Sequence, residues 1–376
     1  MPRIETLIDL YIDANILLIL AFVVWRVAMA IMRRSRLKHD FSAQLRLSEG
    51  AMLALMLSPL IALALSQGLG MVFPGQSLSA ADLALAHFLD GRIAMDAERF
   101  EGLLGARQSF VAGLVGPGNT VTKVGAALLL SGAVLSALSL GRGALRLRRL
   151  LRQSYLWRRQ GRVDIRLSDA IAVPFSTRSL SRRYVVVPTD MLGRGDELRI
   201  ALAHEFQHLR RPDLESEVLT AFLRPLFFWN PVFVLWRRDL ADLRELACDQ
   251  RLLRERRVSP QAYAKCLLHV CRDAIARRED LHPAAPNVAL LMIRRRHNRA
   301  ALRRRIETIV AVDAPPSVSQ RTPIILAGCI ACAIGLGAAA MQKPGDWSQD
   351  RLMLSTIVNL DRLETRNIAL QRLSGF

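Results

Sequence analysis

Hydrophobic positions in this chain gather into long uncharged runs that are separated by short basic segments. Asp, Glu, Lys and Arg are absent from residues 51–73, 124–141 and 322–342, which are 23, 18 and 21 residues long. A helix rises about 1.5 Å per residue, so each run is long enough to cross a hydrocarbon core roughly 30 Å thick. The pattern therefore predicts three membrane-spanning helices.

A fourth span is predicted at about residues 7–32. Asp9, Asp13 and Arg26 interrupt this run, but acids near one end and Arg26 near the other can reach the two polar interfaces of a bilayer. A cleaved signal peptide is the alternative. It fits poorly, because the basic cluster at residues 33–38 follows the apolar run instead of preceding it.

The distribution of positive charge predicts which side of the membrane each segment faces. Lys and Arg outnumber Asp and Glu by five to two in residues 33–49, by eight to none in 142–162 and by eight to two in 294–321. Residues 74–121 have three basic and five acidic side chains. Because cytoplasmic segments carry the excess of Lys and Arg, we expect residues 142–321 in the cytoplasm. Both termini and the acidic loop then face the exterior.

These boundaries predict the following organisation of the chain. A transmembrane region comes first, then a cytoplasmic domain, a last span and a short extracytoplasmic tail. The transmembrane region is residues 1–141, with helices at about 7–32, 51–73 and 124–141 and an extracytoplasmic loop at 74–121. The cytoplasmic domain is residues 142–321, the last span is 322–342 and the tail is 343–376.

The net charge of +19 does not indicate a nucleic-acid-binding protein. Most of the excess lies beside the predicted spans, where membrane topology and anionic lipid account for it. We therefore expect contact with the lipid bilayer and no direct contact with nucleic acid. The five cysteines are too few and too scattered for a disulfide-stapled secreted fold.

The predicted cytoplasmic domain contains a metal-binding sequence pattern. The sequence D-E-L-R-I-A-L-A-H-E-F-Q-H-L-R-R-P-D predicts a helix that Asp196 caps and that ends near Pro212. His204 and His208 are four residues apart, so their imidazoles leave one helix face and can converge on one ion. Glu205 can reach water beside that ion without ligating it. This is the H-E-x-x-H arrangement of zinc peptidases.

A third ligand is predicted on a second polar helix, where Glu245 and Asp249 are one turn apart. In the pattern E-x-x-x-D downstream of H-E-x-x-H, the Glu binds zinc and the Asp orients a ligand histidine. Asp239 and Asp242 have the same helical spacing and are rivals for the ligand role. Two histidines, one carboxylate and an open fourth position are typical of a catalytic zinc site, with Glu205 as the general base.

Two neighbouring segments bear on how the site is surrounded. Residues 163–187 have the pattern of short strands, and a sheet beside the metal helix could hold an extended peptide by strand addition. Residues 184–187 are a candidate edge strand, although an ordinary core strand is the preferred interpretation. Residues 225–236 carry no charge and are too short to span a bilayer. We favour core packing for them, with membrane contact as the alternative.

Taken together, the motifs resemble the BlaR/MecR-type antirepressor metallopeptidases, over about residues 163–309 and in the four-span layout. The segments that carry the resemblance are H-E-F-Q-H from His204, R-P-D from Arg211, F-W-N-P from Phe228, E-L-A-C-D from Glu245 and, more weakly, R-I at Arg305. The resemblance implies a mainly α membrane protein with four transmembrane helices and a cytoplasmic α+β zinc metallopeptidase domain of the gluzincin type.

The resemblance also implies functional roles. Zinc would be bound by His204, His208 and Glu245, with Glu205 as catalytic base. The substrate would be a cytosolic protein, often a winged-helix repressor, and self-cleavage is frequent. Family members that sense β-lactams carry a large penicillin-binding domain after the last span. Because only 35 residues follow Met341 and they contain no S-x-x-K, we do not expect β-lactam acylation as the signal.

The sequence therefore predicts a multi-pass zinc endopeptidase of the bacterial inner membrane that responds to a signal and cleaves a cytoplasmic transcriptional repressor. One alternative is a membrane quality-control protease similar to the HtpX type. Another is a non-catalytic membrane receptor or scaffold. A homodimer is compatible with each of them.

Overall fold

The computed structural model describes most of the chain. The described residues are 2–72, 80–90, 92–93, 95–115, 120–179, 181–210, 213–255, 258–280, 295–310, 321–340, 353–354, 356–360 and 363–364. Most of the predicted tail at 343–376 and part of the predicted loop at 74–121 lie outside them.

The described part is mainly α-helical, as predicted, with one four-stranded sheet. The helices are α1 (Pro2–Arg34), α2 (Phe41–Val72), α3 (Ala80–Leu89), α4 (Ala97–Val115), α5 (Thr120–Gln153), α6 (Gly195–Arg210), α7 (Asp213–Leu223), α8 (Pro231–Arg254), α9 (Pro260–Asp280), α10 (Arg295–Val310) and α11 (Arg321–Ala340). Short 3₁₀ helices occur at Arg36–His39 and Thr189–Gly193. The strands are β1 (Tyr155–Gln160), β2 (Val163–Ser168), β3 (Phe175–Arg178) and β4 (Arg183–Pro188).

Among the described residues, two helical segments rather than four are long and apolar enough to cross a membrane. They are Leu7–Arg34 within α1 and Thr120–Gln153, which is α5. The last predicted span falls on α11, whose described apolar part is the shorter segment Ile324–Ala340. The predicted span at 51–73 falls on α2, where the side chains of residues 61–72 lie outside the described part. The prediction of four spans is thus supported for two helices.

The chain divides into two compact units. The first comprises Met1–Trp25, Gly50–Leu129 and Ala327–Phe376, and the second comprises Arg26–Glu49 and Leu130–Leu326. The first unit has a small core in which α3 and α4 pack through Leu85 and Phe100 with residues near the C-terminus. The second unit contains the sheet and the predicted metal helices.

The sheet of the second unit has the strand order β1-β2-β4-β3. Strands β1 and β2 form an antiparallel hairpin whose two-residue connection includes Gly161 with a φ of 59°, a conformation that favours glycine. Strands β2 and β4 are parallel, and β3 pairs antiparallel with β4. Strand β4 is therefore central. The core-strand interpretation of residues 184–187 is confirmed and the edge alternative is wrong, because β3 covers that side.

Both faces of β4 are buried, which explains its run of three valines. Val185 and Val187 pack against Leu198 and Leu209 of α6. Val186 points to the opposite face and packs on the C-terminal part of α5. The sheet thus fixes one side of α6.

A second core fixes the other side of α6. Ile200 of α6 packs with Leu252 of α8, Tyr263 of α9 and Ile309 of α10, and all four side chains are buried. Helices α8, α9 and α10 therefore pack on one face of α6, and this arrangement positions the predicted site.

Candidate metal centre

The two histidines of the predicted motif lie on α6 between the sheet and the second core. Asp196, which the sequence predicts as a cap, lies inside the first turn, where its charge favours the positive end of the helix dipole. His204 and His208 leave the helix one turn apart, with their rings nearly perpendicular and their centroids 4.9 Å apart. The local sequence therefore produces the convergent pair that the spacing predicts.

Glu245 of α8 completes a group of three potential metal ligands. The Nε2 atoms of His204 and His208 are 3.3 Å apart. Oε2 of Glu245 lies 3.5 Å from Nε2 of His204, and Oε1 lies 3.7 Å from Nε2 of His208. All three residues offer a ligand atom within 4.8 Å of the others. The structure therefore brings the three predicted ligands together.

These separations fit a zinc ion. Two nitrogens that ligate a tetrahedral zinc at about 2.0–2.1 Å lie about 3.3–3.4 Å apart, which matches the histidine pair. The carboxylate oxygens are only slightly farther from the nitrogens. The Glu245 side chain is 37 % exposed, whereas the histidine side chains are 12 and 13 % exposed. The group is therefore open on the side of Glu245, as a catalytic rather than a structural zinc site requires.

Hydrogen bonds fix the ring of His204 through Tyr263 of α9. The Tyr263 hydroxyl donates to Oδ1 of Asp249 over 2.5 Å, and it lies 2.9 Å from Nδ1 of His204. Because this hydroxyl has one proton, it accepts from Nδ1–H of His204, which leaves Nε2 free to bind a metal. Burial, together with the charge of Asp249, raises the pKa of Tyr263 well above its usual value, so the phenol keeps its proton.

Asp249 therefore acts on His204 mainly through Tyr263. The direct distance from its Oδ1 to Nδ1 of His204 is 3.6 Å, which is too long for a hydrogen bond. The sequence predicts that Asp249 orients a histidine. The structure places it beside the expected histidine but inserts a phenol between the two groups.

Arg305 of α10 holds both acids of the E-x-x-x-D pattern. Its Nε and one terminal nitrogen donate to the two oxygens of Asp249 over 2.7 and 2.8 Å, and its other terminal nitrogen lies 2.8 Å from Oε2 of Glu245. Burial opposes ionisation of Glu245. The positive charge of Arg305 beside the carboxylate outweighs burial and holds the pKa of Glu245 well below its usual range. Glu245 is therefore anionic, as a metal ligand must be.

His208 has a different partner, the buried thiol of Cys248. The Sγ atom of Cys248 lies 3.3 Å from Nδ1 of His208. A sulfur that accepts from Nδ1–H would again leave Nε2 as the ligand atom. Both imidazoles are thus oriented from behind by residues of the helices that pack on α6.

Glu205, the predicted catalytic base, is a buried residue of α6 with a side chain only 8 % exposed. No ion pair links it to another side chain in the described ranges, in contrast to Glu245 and Asp249.

The two acids that the sequence offers as alternatives to Glu245 lie elsewhere. Asp239 lies 3.5 Å from Arg26 of α1, and neither Asp239 nor Asp242 belongs to the three-ligand group.

Sequence reasoning missed Tyr263 and Cys248 and gave Arg305 no role in the site. Tyr263 and Arg305 lie 14 and 56 residues after Asp249, on other helices, so no helical spacing relates them to the motif. Cys248 precedes Asp249 directly, yet neighbouring helical positions ordinarily face different directions.

Two imidazoles and a carboxylate on packed helices, with H-E-x-x-H on one of them, indicate a metallopeptidase. The family model described as BlaR1 peptidase M56 matches residues 115–309, which is more than half of the chain. The chain belongs to this family, which confirms the resemblance drawn from the motifs. No curated protein matches the chain. Family membership and the two long apolar helices together suggest a membrane-associated metallopeptidase, a class that typically uses zinc.

Proposed function

We propose that this chain is an integral membrane zinc endopeptidase that cleaves a cytoplasmic protein in response to a signal. The observation that carries the proposal is the group of His204, His208 and Glu245 on two packed helices, in a chain of the M56 peptidase family.

The three residues of this group would hold the zinc ion. When bound, zinc would supply Lewis-acid polarisation of the scissile carbonyl and of water. Tyr263 and Cys248 orient the two imidazoles, and Arg305 keeps Glu245 ionised.

Glu205 is the proposed general base. It follows His204 directly on α6 and has no ion-pair partner among the described side chains, so its carboxylate is available to accept a proton. We infer that it takes a proton from the attacking water and returns it to the leaving amine. General acid–base catalysis of this kind typically contributes about 10²–10⁴ to the rate.

The edge of the sheet supports an extended polypeptide as substrate. Among the described strands, β3 pairs with β4 alone, so its other side is an edge of the described sheet, and β3 packs beside α6. A peptide that adds to β3 as a further strand would run past the metal helix. The edge role that the sequence offered as the less favoured alternative for residues 184–187 thus belongs in this proposal to Phe175–Arg178.

The proposed substrate is a cytoplasmic transcriptional repressor of the winged-helix type, with self-cleavage as a second reaction. The positive charge of segment 142–162 supports a cytoplasmic site. The resemblance of the motifs to the BlaR/MecR-type antirepressors is our reason for preferring a regulatory substrate to general quality control.

Comparative proteomics of wild-type and Glu205→Gln cells tests the proposal. We expect a fragment of a cytoplasmic regulator to disappear in the variant, with at least about a hundredfold loss of cleavage. The zinc content should be unchanged, because Glu205 is not a ligand. Glu245→Gln should lose both zinc and cleavage.

Glu307→Gln is the matched control, since Glu307 is an exposed acid of α10 that pairs with Arg303. It should retain zinc and cleavage. Persistence of every fragment in the Glu205→Gln strain would contradict catalysis by this site. Broad loss of fragments from misfolded membrane proteins would point to quality control instead.

A further inference from the structure

The connection between the two metal helices exposes an apolar surface. From residue 218 to residue 235, every side chain that is largely exposed is apolar. Phe222, Leu226 and Leu235, for example, are 69, 52 and 48 % exposed. We refer to residues 218–235 as the apolar hairpin. It comprises the end of α7, a turn and the start of α8.

In the last turns of α7, apolar side chains are exposed and a polar side chain is buried, which is the opposite of the pattern expected on a water-exposed surface. Val218, Leu219 and Phe222 share the exposed face at helical spacing, whereas the polar side chain of Thr220 is buried. A helix on the surface of a soluble domain buries its apolar stripe and exposes its polar one. This pattern therefore indicates an apolar environment around the outer face of the last two turns of α7, beyond the exposed Glu215 at its start.

The tip of the hairpin lies against the middle of a candidate membrane span. Phe228 packs on Gly132 so closely that a Cβ atom at that position would overlap the ring. Gly132 is central in the uncharged run 124–141 of α5. Leu130 and Leu135, on either side of it, are themselves exposed. The hairpin is thus level with residues that the sequence places in the hydrocarbon.

The turn of the hairpin satisfies backbone polar groups internally. The carbonyl of Leu223 accepts from the N–H groups of Leu226 and Phe227 over 3.0 and 3.1 Å. The side chain of Asn230, which is 2 % exposed, accepts from the N–H of Val232 over 3.0 Å. Irregular backbone enters a bilayer only if its donors and acceptors are satisfied, and this turn meets that condition for these groups.

The charges of this region are arranged to suit a membrane interface. Arg224, the only charged residue of the hairpin, is half-buried and is not part of the exposed apolar surface. Arg237 and Arg238 follow the hairpin directly along α8. Arginines at the end of an inserted apolar segment can reach lipid phosphates while the apolar part stays in the hydrocarbon.

We propose that the apolar hairpin is embedded among the acyl chains of the leaflet that faces the catalytic domain, beside α5, and that it holds the metal centre at the membrane surface. Glu245 follows Leu235 by ten residues on α8, which corresponds to about 15 Å of helix. The proposed ligands thus lie no more than about 15 Å beyond the apolar hairpin. This inference rests on the membrane location in the proposed function and not on proteolysis.

Spin-label accessibility in the full chain tests the embedding. A nitroxide is attached at Leu226→Cys after reconstitution into phosphatidylglycerol and phosphatidylethanolamine vesicles. The background is Glu205→Gln, which prevents self-cleavage. Cys271, Cys329 and Cys332 are replaced by Ser, whereas the buried Cys248 and Cys266 stay.

Two positions on the same chain calibrate the measurement. Leu135→Cys on α5 is the lipid control and Lys265→Cys, exposed on α9, is the water control. Because the bilayer core holds no water, the ratio of oxygen to nickel-chelate collision rates at 226 should exceed that at 265 by at least about tenfold. It should approach the ratio at 135.

Two results would overturn the proposal. A ratio at 226 equal to that at 265 would place the hairpin in water. Exclusion of both oxygen and nickel chelate would show that protein, such as a second copy of the chain, covers it. The measurement uses a catalytically disabled chain, so its outcome is independent of the proteomic test of Glu205.

Discussion

Arg305 is the residue on which the two acids of the site depend. Asp249 is 2 % exposed and receives two charged hydrogen bonds from Arg305, while the third nitrogen of the guanidinium lies beside Glu245. A buried carboxylate without its counter-charge is costly. Arg305 therefore stabilises the packing of α10 on α8, and it keeps the Glu245 carboxylate ionised so that it can bind a cation.

Arg305→Gln should lower the free energy of unfolding by about 3 kcal/mol, because it leaves Asp249 buried without a charged partner. Added zinc should recover part of the loss, since a bound cation stabilises the folded state and restores positive charge beside Glu245. Denaturant unfolding of the detergent-solubilised chain, with and without zinc, measures both effects. Arg303→Gln, at the exposed end of an ion pair on the same helix, is the control and should leave the stability nearly unchanged. Equal losses in the two variants would exclude this role for Arg305.

Tyr263→Phe removes the hydroxyl that links His204 to Asp249 and leaves the ring in place. We expect zinc affinity to fall about 10–100-fold, as is typical when the group behind a ligand histidine is removed. Competition with a chromogenic chelator measures the affinity. Tyr184→Phe on β4 makes the same chemical change away from the site and should leave zinc affinity unchanged. If both variants bind zinc as the wild type does, Tyr263 has no part in orienting His204.

Residues whose roles follow from local spacing could be predicted from the sequence. His204 and His208 are four residues apart on one helix, and Glu245 and Asp249 repeat that spacing on another. Tyr263 and Arg305 could not be predicted, because only the packing of α9 and α10 on α8 brings them to Asp249.

At the scale of elements, the sheet shows what the pattern along the chain can and cannot predict. The uninterrupted valines of β4 indicate burial on both faces and hence a central strand. Strand β1 was not predicted, because its sequence Y-L-W-R-R-Q is exposed throughout and has no alternation. Its position depends on pairing with β2 through the turn at Gly161.

Arg194 joins three elements near the start of α6. Its guanidinium contacts Asp190 of the 3₁₀ helix, Glu197 of α6 and Asp273 of α9, the last over 2.6 Å. The pair with Asp273 could not be predicted from the sequence pattern, since Asp273 lies 79 residues away. The cluster ties α9, and with it Tyr263, to the metal helix.

Asp273→Asn tests this link through its pH dependence. The hydrogen bond from Arg194 lowers the pKa of Asp273. The contribution to stability is therefore fully present above the unfolded pKa of about 3.9 and is lost as the pH falls through the lower folded pKa. We expect a loss of up to about 1 kcal/mol at pH 7, because both side chains are partly exposed, and a smaller loss below about pH 4.

The test compares the unfolding midpoints of the wild type and of Asp273→Asn across this pH range. Asp90→Asn, at an exposed acid outside the cluster, should show no comparable difference at pH 7. A loss for Asp273→Asn that grows on acidification would have the wrong sign for this ion pair.

At the scale of the whole molecule, the charge distribution predicts the orientation in the membrane. A cysteine at Glu98, in the acidic segment 74–121, should react with an impermeant maleimide in intact spheroplasts. A cysteine at Arg158, in the basic segment 142–162, should react only after permeabilisation. The same background without Cys271, Cys329 and Cys332 serves both variants, and the parent without an added cysteine gives the blank. The opposite labelling pattern would invert the topology and remove cytoplasmic proteins from the range of substrates.

Helix α5 runs unbroken from Thr120 to Gln153, and its last turns pack on Val186 and Phe175 of the sheet. The part of α5 from Leu130 onward belongs to the same unit as the sheet, and it includes both exposed apolar residues and the residues that pack on the strands. The sheet is therefore anchored directly to a helix of the candidate span, with no loop between the lipid-facing residues and the strands.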